Sequence, residues 1–198
     1  MNIIREAYAR SIQIAVEVGT RSSKRTDCLH KGIGDAIKYV RPELSYKIEQ
    51  VFPVRTGGTY AVDVTVYKEN NPVLFILVKA PLCNIKQNET NNQNSCMGEI
   101  LKLDTSYQVP IVMFDFMPMS CPYYTKNGEI RNTETFSVEA VRDKTRTFVE
   151  GVSSRLPMFR HRYVVFANLD QQTKKNIVFT GFEDASDLDR FMDLIEQI

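Results

Sequence analysis

Residues Tyr60–Glu99 read YAVDVTVYKENNPVLFILVKAPLCNIKQNETNNQNSCMGE, and the fold turns on how this stretch is parsed. Its first part alternates. Val62, Val64 and Val66 fall on one side and Ala61, Asp63, Thr65 and Tyr67 on the other, the period-two pattern of a strand with at least one buried face. Glu69-Asn70-Asn71-Pro72 carries turn residues. Val73–Val78 is a run of six apolar residues rich in β-branching, short for a buried helix and suited to a central strand. Lys79 ends it and Ala80-Pro81 closes it. A hairpin of these two strands would bring Asp63 and Lys79 to the same end and face. A carboxylate and an amine at the mouth of an apolar sheet are costly to bury idle, and so mark a candidate site.

Working outward, residues 2–18 suit an amphipathic helix, with Ile4, Tyr8, Ile12, Ala15 and Val16 at helical spacing and Gly19 at its end. A second helix is expected from about Asp27, with Leu29, Ile33, Ile37 and Val40 inward and Arg41-Pro42 as its stop. Asp35 falls on its more polar side, within reach of His30. Leu44–Arg55 reads as a strand with Leu44, Tyr46, Ile48 and Phe52 on one face and Lys47 and Glu49 on the other. After Lys79, the asparagine-rich stretch Asn84–Asn94 reads as a polar loop that becomes a helix at about Ser95–Leu103. Val109–Phe116 is a buried strand, 119–132 a loop, and 134–151 a helix. Tyr163–Ala167 and Asn176–Phe182 read as an antiparallel pair, and Asp184–Ile198 as a last amphipathic helix.

That order predicts an α/β protein: a mixed central sheet flanked by helices, followed by a C-terminal helix-hairpin-helix elaboration. A chain of 198 residues fits one domain, its core at about 27–118 and the elaboration at about 119–198. With 25% charged residues and a net charge of +1, the molecule is no polycation, so contact with nucleic acid must come from local clustering. Eight basic residues against three acids between Arg142 and Lys175 form such a cluster, whereas Glu183–Ile198 has six acids against Arg190. Cys28, Cys83, Cys96 and Cys121 have no zinc-type spacing. Arg5, Glu6 and Arg10 interrupt any signal sequence, and no segment approaches the ~20 apolar residues of a membrane span. Reduced thiols and a cytoplasmic address are expected. No glycine-rich nucleotide loop is present, and with only His30 and His161 a histidine-rich metal site is excluded. Each histidine is expected to be a surface or hydrogen-bonding residue.

A three-strand meander with Asp63 on its second strand and Lys79 ending its third, then a helix and a strand, resembles the PD-(D/E)xK nuclease superfamily, type II restriction endonucleases in particular. The resemblance spans about residues 27–118, and the run Val78-Lys79-Ala80-Pro81, Asn84, Lys86 and Met97-Gly98-Glu99 adds to it. Two positions depart from the pattern. Val62 stands where the family often has proline, and Leu77 stands where its second carboxylate belongs. The resemblance therefore implies an acid borrowed from elsewhere. Glu99 is preferred, with Glu49 and Asp35 as alternatives and Glu43 and Glu89 behind them.

The resemblance further implies a Mg²⁺-dependent DNA endonuclease of the restriction type, with Asp63, Lys79 and Glu99 catalytic and Asp63 and Glu99 holding the metal. Two acids and a lysine suffice in principle, since magnesium takes one or two protein carboxylates and keeps waters. Double-stranded DNA is the expected partner, cut by a homodimer at a short site. Its contacts are expected from Asn84, Lys86, Gln87, Asn88, Asn91 and Asn92, whose amides and amine suit base edges and phosphates, and from Arg155, Arg160, His161 and Arg162. The alternatives are an inactive relative that binds DNA or a protein, and a repair or junction nuclease.

Overall fold

A computed structural model describes residues 2–198. In chain order its elements are α1 (Asn2–Val18), α2 (Ser23–Val40), β1 (Ser45–Pro53), β2 (Thr59–Lys68), β3 (Asn71–Lys79), α3 (Ile85–Asp104) and β4 (Ile111–Pro118). These are followed by β5 (Ser120–Tyr124), β6 (Ile130–Thr135), α4 (Val138–Ser153), β7 (Phe159–Thr173), β8 (Asn176–Asp184) and α5 (Ser186–Glu196). Six strands form one sheet in the order β1-β2-β3-β4-β7-β8, and β5 and β6 pair separately. β1, β2 and β3 are an antiparallel meander. β4 runs parallel to β3 and β7 parallel to β4, so each of these connections needs a crossover, supplied by α3 and α4. β8 returns antiparallel at the far edge.

The alternation of the central strands divides the core in two. Leu74, Ile76 and Val78 of β3 and Val112, Phe114 and Phe116 of β4 pack with residues of α1, α2 and α5. Phe75 and Leu77, with Ile111 and Met113, pack with α3 and α4. The result is three layers, helix on sheet on helix. α2 lies close on both neighbours. A Cβ on Gly32 would fall 2.1 Å from that of Ala7, and one on Gly34 would fall 2.3 Å from the Tyr46 ring. Helical glycine costs about 0.5–1 kcal/mol relative to alanine, and here it lets α2 seat against α1 and β1.

Several expectations change. The segments after residue 118 do not stand beside the sheet as a helix-hairpin-helix: β7 and β8 belong to it. β7 pairs with β4 over Phe159–Ala167, because its run Tyr163–Ala167 is as apolar as a central strand must be. The stretch 119–132 is not a loop but contributes the β5–β6 hairpin.

The asparagine-rich stretch is helical from Ile85 onward. Asparagine is a poor helix former, so tertiary contacts decide. The buried Glu134 of β6 accepts hydrogen bonds from the N–H groups of Ile85 (2.7 Å) and Lys86 (3.2 Å), satisfying the first turn and placing a negative charge at its positive end. α2 begins at Ser23, four residues before the expected start. All four cysteines are free. No described helix is long and apolar enough to cross a membrane.

Candidate active site

The site begins where two strands lose their alternation together. In the β1–β2 ladder Ile48 pairs with Val64 and Gln50 with Val62, leaving Glu49 and Asp63 between them outside the ladder. Glu49 has φ +50°, a left-handed conformation that costs a non-glycine residue of order 1–3 kcal/mol. Beyond this point both strands exchange faces. Ile48 and Val64 pack on the α1–α2 side, but Phe52 and Val62 pack on the α3 side. The simple alternation expected for Val62, Val64 and Val66, and for Ile48 and Phe52, is therefore broken, and the break is centred on the two carboxylates.

The β2–β3 ladder ends at the same level, its last pair being Val64 with Ile76. Asp63 Oδ2 then accepts the N–H of Val78 at 2.6 Å, taking the place a strand carbonyl would have filled. Burial, above all, pushes the Asp63 carboxyl up to about 6. The Val78 N–H and the Lys79 charge pull it back, and Glu49 and Glu99 add to the rise. Both other carboxylates are thus near enough for Asp63 to feel their charge.

Lys79 ends β3 and reaches α3. Its Nζ lies 2.7 and 3.0 Å from the two oxygens of Glu99, a bidentate contact. The lysine side chain is 33% exposed and the glutamate 15%. Burial alone would lower the Lys79 pKa, but the charge and hydrogen bond of Glu99 more than offset it, and the net shift is upward. Ser95, one helical turn earlier, donates to Glu99 Oε1 at 3.1 Å. Tyr60 lies against the same acid. Its pKa is raised by burial first and then by the charges of Glu99 and Asp63. Leu77, the position without a carboxylate, is fully buried in the α3-side core.

On the other side of the sheet, Glu49 turns toward α2. Its carboxylate joins Asp27 and His30, and one ligand atom from each lies within 4.8 Å of the others. Burial first, and then Asp27, raise the Glu49 pKa. His30 is 3% exposed, not a surface residue. Burial, helped by Lys79 and Arg25, lowers its pKa to about 4 and keeps the ring neutral at pH 7. Asp35, expected near His30, instead accepts the Tyr46 hydroxyl at 2.5 Å. In the sequence Asp27 marks only the expected start of a helix. The signal for it was its spacing of three from His30, one turn of the same helix.

The residues expected to touch DNA divide into engaged and open ones. Asn84 is in the left-handed region at the start of α3. Its amide donates to the carbonyl of Tyr124 (2.7 Å) and to Gln87 (3.2 Å), and accepts from the Tyr124 N–H (2.9 Å). It fastens β5 rather than facing outward. Asn88 donates to the carbonyl of Asn84, and Lys86 stands over the Phe136 ring at 5.2 Å. Gln87, Asn91 and Asn92 are exposed on α3, and Arg155 and Arg160 are exposed at and beyond the end of α4. Arg162 pairs with the buried Asp115, Nε to Oδ2 2.7 Å. His161 stacks edge-on against Tyr163 at 4.5 Å.

Between α3, α4 and the ends of β3, β4 and β7 lies a cleft of about 760 Å³. Arg25, Lys79, Lys86, Lys144 and Arg162 line it, against Glu89 and Asp115. Arg25 is buried, and its Nη2 donates to the Ala80 carbonyl at 2.8 Å. Its Nε and Nη1 have no partner among the described residues.

No family model matches the chain, and no curated protein matches it. Two solved structures show similarity. SfsA of Pyrococcus furiosus, solved in complex with Ca²⁺, aligns at 14% identity and a TM-score of 0.34, covering 77% of this chain. The chain spans 61% of the SfsA chain. NucC of P. aeruginosa ATCC27853, in a cAAA-bound form, aligns at 8% identity and a TM-score of 0.44, covering 99% of this chain and 87% of the other. At these scores neither likeness carries an argument about the site, which stands on its own geometry.

Proposed function

We propose that this protein is a metal-dependent DNA endonuclease of the restriction type, hydrolysing phosphodiester bonds with Asp63, Lys79 and Glu99. The observation that carries the reading is the convergence of β2, β3 and α3 on one point. Asp63 is anchored through Val78, the residue before Lys79, and Lys79 is held in turn by Glu99. Asp63 and Glu99 both act on the single Lys79, and Asp63 holds its proton more tightly, chiefly because it is buried and further because Glu49 and Glu99 add their charges. A divalent cation relieves such crowding, and the all-oxygen donors Asp63 and Glu99 suit Mg²⁺.

Bound there, Mg²⁺ would supply a polarised water and charge shielding on the phosphate. The chain does the rest. Val78 fixes one oxygen of Asp63 and leaves the other free. Glu99 and Ser95 hold the Lys79 ammonium and its acid in place, and Lys79 can orient the attacking water or stabilise the charge developing on the phosphate. Lys86 and Lys144, both exposed along the cleft and Lys144 paired with Glu89, are offered as contacts to the backbone of duplex DNA. Arg155 and Arg160, exposed and free of ion pairs among the described residues, are offered as phosphate contacts, and Gln87, Asn91 and Asn92 as base contacts. A homodimer would present two such sites to a palindromic sequence.

Leu77 favours a second reading, an inactive relative that binds DNA without cutting it, because the position of the family's second acid is filled by a buried aliphatic side chain. Incubation of supercoiled plasmid with the protein and Mg²⁺ or Mn²⁺ separates the two. Cutting should fall about a hundredfold to a thousandfold in Lys79→Ala and in Asp63→Asn. Equal cutting by wild type and variants, or none with any divalent ion, overturns the nuclease reading. DNA retained in a gel shift but uncut supports the binder. Cutting of branched DNA without sequence preference would assign a repair or junction role instead of restriction.

A further inference from the structure

The group on α2 and β1 has a chemistry different from that of the oxygen site just described. It brings two carboxylates, Asp27 and Glu49, to one imidazole, His30. His30 Nδ1 lies 2.9 Å from Glu49 Oε1. That is hydrogen-bond distance, yet a proton on Nδ1 would not point along it, and the nitrogen has no aligned partner among the described residues. The side chain is almost wholly buried, and water has little access to satisfy it. A buried nitrogen left without a partner costs about 1–3 kcal/mol. The backbone of Glu49 is held in the left-handed region at the same point. Two unfavourable features therefore meet at one place, and both serve to aim a nitrogen lone pair and carboxylate oxygens at a common centre.

We propose that Asp27, His30 and Glu49 form a separate binding site for a first-row transition-metal dication of the Mn²⁺ or Zn²⁺ class. Imidazole nitrogen selects such ions over Mg²⁺, which takes oxygen donors and holds its waters. Metal–nitrogen and metal–oxygen bonds of about 2 Å bring donors to about 3–4 Å from one another, so donors already within 4.8 Å close on an ion by side-chain rotation. Asp27 and His30 are one turn apart on α2, a rigid base for two ligands. Glu49, 45% exposed, gives the ion an entry from solvent. The proposal does not require the cleavage reading, and it is tested without DNA.

Mn²⁺ is titrated into the metal-free full chain with millimolar Mg²⁺ present, by calorimetry and by pulsed electron paramagnetic resonance. The expected result is one tight Mn²⁺ per chain with a ¹⁴N coupling from imidazole. His30→Gln should abolish the coupling, and Asp27→Asn and Glu49→Gln should each weaken binding about tenfold or more. Because His30 is buried, the two carboxylate variants keep the test decisive if His30→Gln fails to fold. Binding with no nitrogen coupling, or affinity unchanged in both Asp27→Asn and Glu49→Gln, overturns the proposal. So does loss of the coupling in Asp63→Asn, which would put the ion at the oxygen site. Failure of the nuclease reading looks different: plasmid stays uncut while the nitrogen-coupled Mn²⁺ is present.

Discussion

Two carboxylates approach Asp63, Glu99 from α3 and Glu49 from β1, and the chain treats them in opposite ways. Glu99 is mostly buried, its charge is neutralised by Lys79 through two contacts, and Ser95 adds a hydrogen bond. Glu49 is nearly half exposed, sits in a strained conformation and faces a neutral imidazole that does not hydrogen-bond to it. One acid is part of a finished ion pair. The other is held in place with nothing to neutralise it. An ion pair of the first kind orients a functional amine at modest cost. A carboxylate of the second kind is stable only as long as solvent, or a cation, completes it.

The comparison predicts unequal consequences of deletion. Glu99→Ala removes the partner of Lys79 and leaves an ammonium two-thirds buried beside apolar strands. Breaking a fully buried pair costs about 3–5 kcal/mol, and the exposure of the lysine reduces this to about 2 kcal/mol. Glu49→Ala breaks no ion pair with a charged partner and should cost less than about 1 kcal/mol. Urea denaturation at pH 7 measures both. Equal losses would mean that the two acids are equivalent supports of the fold and that the asymmetry has no energetic content.

The burial of Asp63, with the charges of Glu49 and Glu99 adding to it, should appear as a pH dependence. A carboxyl with a folded pKa of about 6, against about 3.9 in the unfolded chain, binds its proton more tightly when folded. Its contribution therefore favours the fold in full below about pH 4 and is lost as the pH rises through 6. Between pH 4 and pH 7 the wild type should lose about 1–2 kcal/mol relative to Asp63→Asn, whose amide does not titrate. His30, held neutral down to about 4, works in the opposite direction: its contribution is present above its unfolded pKa near 6.5 and lost as the pH falls. It does so in both proteins and cancels in the difference. Parallel stability curves for the two proteins would mean that Asp63 is not held as a buried carboxyl among other acids, and would remove that support for a cation there.

How far the sequence foretells this site depends on which physical signal carries each residue. The apolar run Val73–Val78 could hardly be anything but a central strand, and it placed Lys79 at a strand end beside Asp63. α1 was legible for the same reason, its stripe being unbroken. The α3 start was not. A stretch with five asparagines looks like loop by propensity, and the carboxylate that caps it, Glu134, comes from a hairpin some 50 residues later. The role of β7 was legible only as a strand, not as a member of the main sheet, because parallel pairing leaves no local mark. The kink was the least legible of all. Period-two reasoning assumes an uninterrupted pleat, and it carried Phe52 and Val62 to the wrong layer because nothing in the residues Glu49 and Asp63 announces a left-handed turn of the backbone. Asp27 and His30 were hidden for a related reason: a helix shows its own faces, but not which strand residue will meet them.

That kink supplies the smallest and most discriminating effect. If the chain holds Glu49 at φ +50° to aim its carboxylate, glycine should tolerate the backbone there while a β-branched residue should not. Glu49→Gly releases strain of about 1–2 kcal/mol and adds unfolded-state entropy worth about 0.5–1 kcal/mol, so its stability should stay within about 1 kcal/mol of the wild type. Glu49→Val, better suited to a regular strand, should fall below Glu49→Gly by about 1 kcal/mol or more despite its higher strand propensity. Both variants lose the carboxylate equally, so the difference between them isolates the backbone. Should valine prove the more stable, β1 would be relaxing into an unbroken ladder opposite Asp63. The strained conformation would then belong to the glutamate side chain and its neighbours, not to the strand.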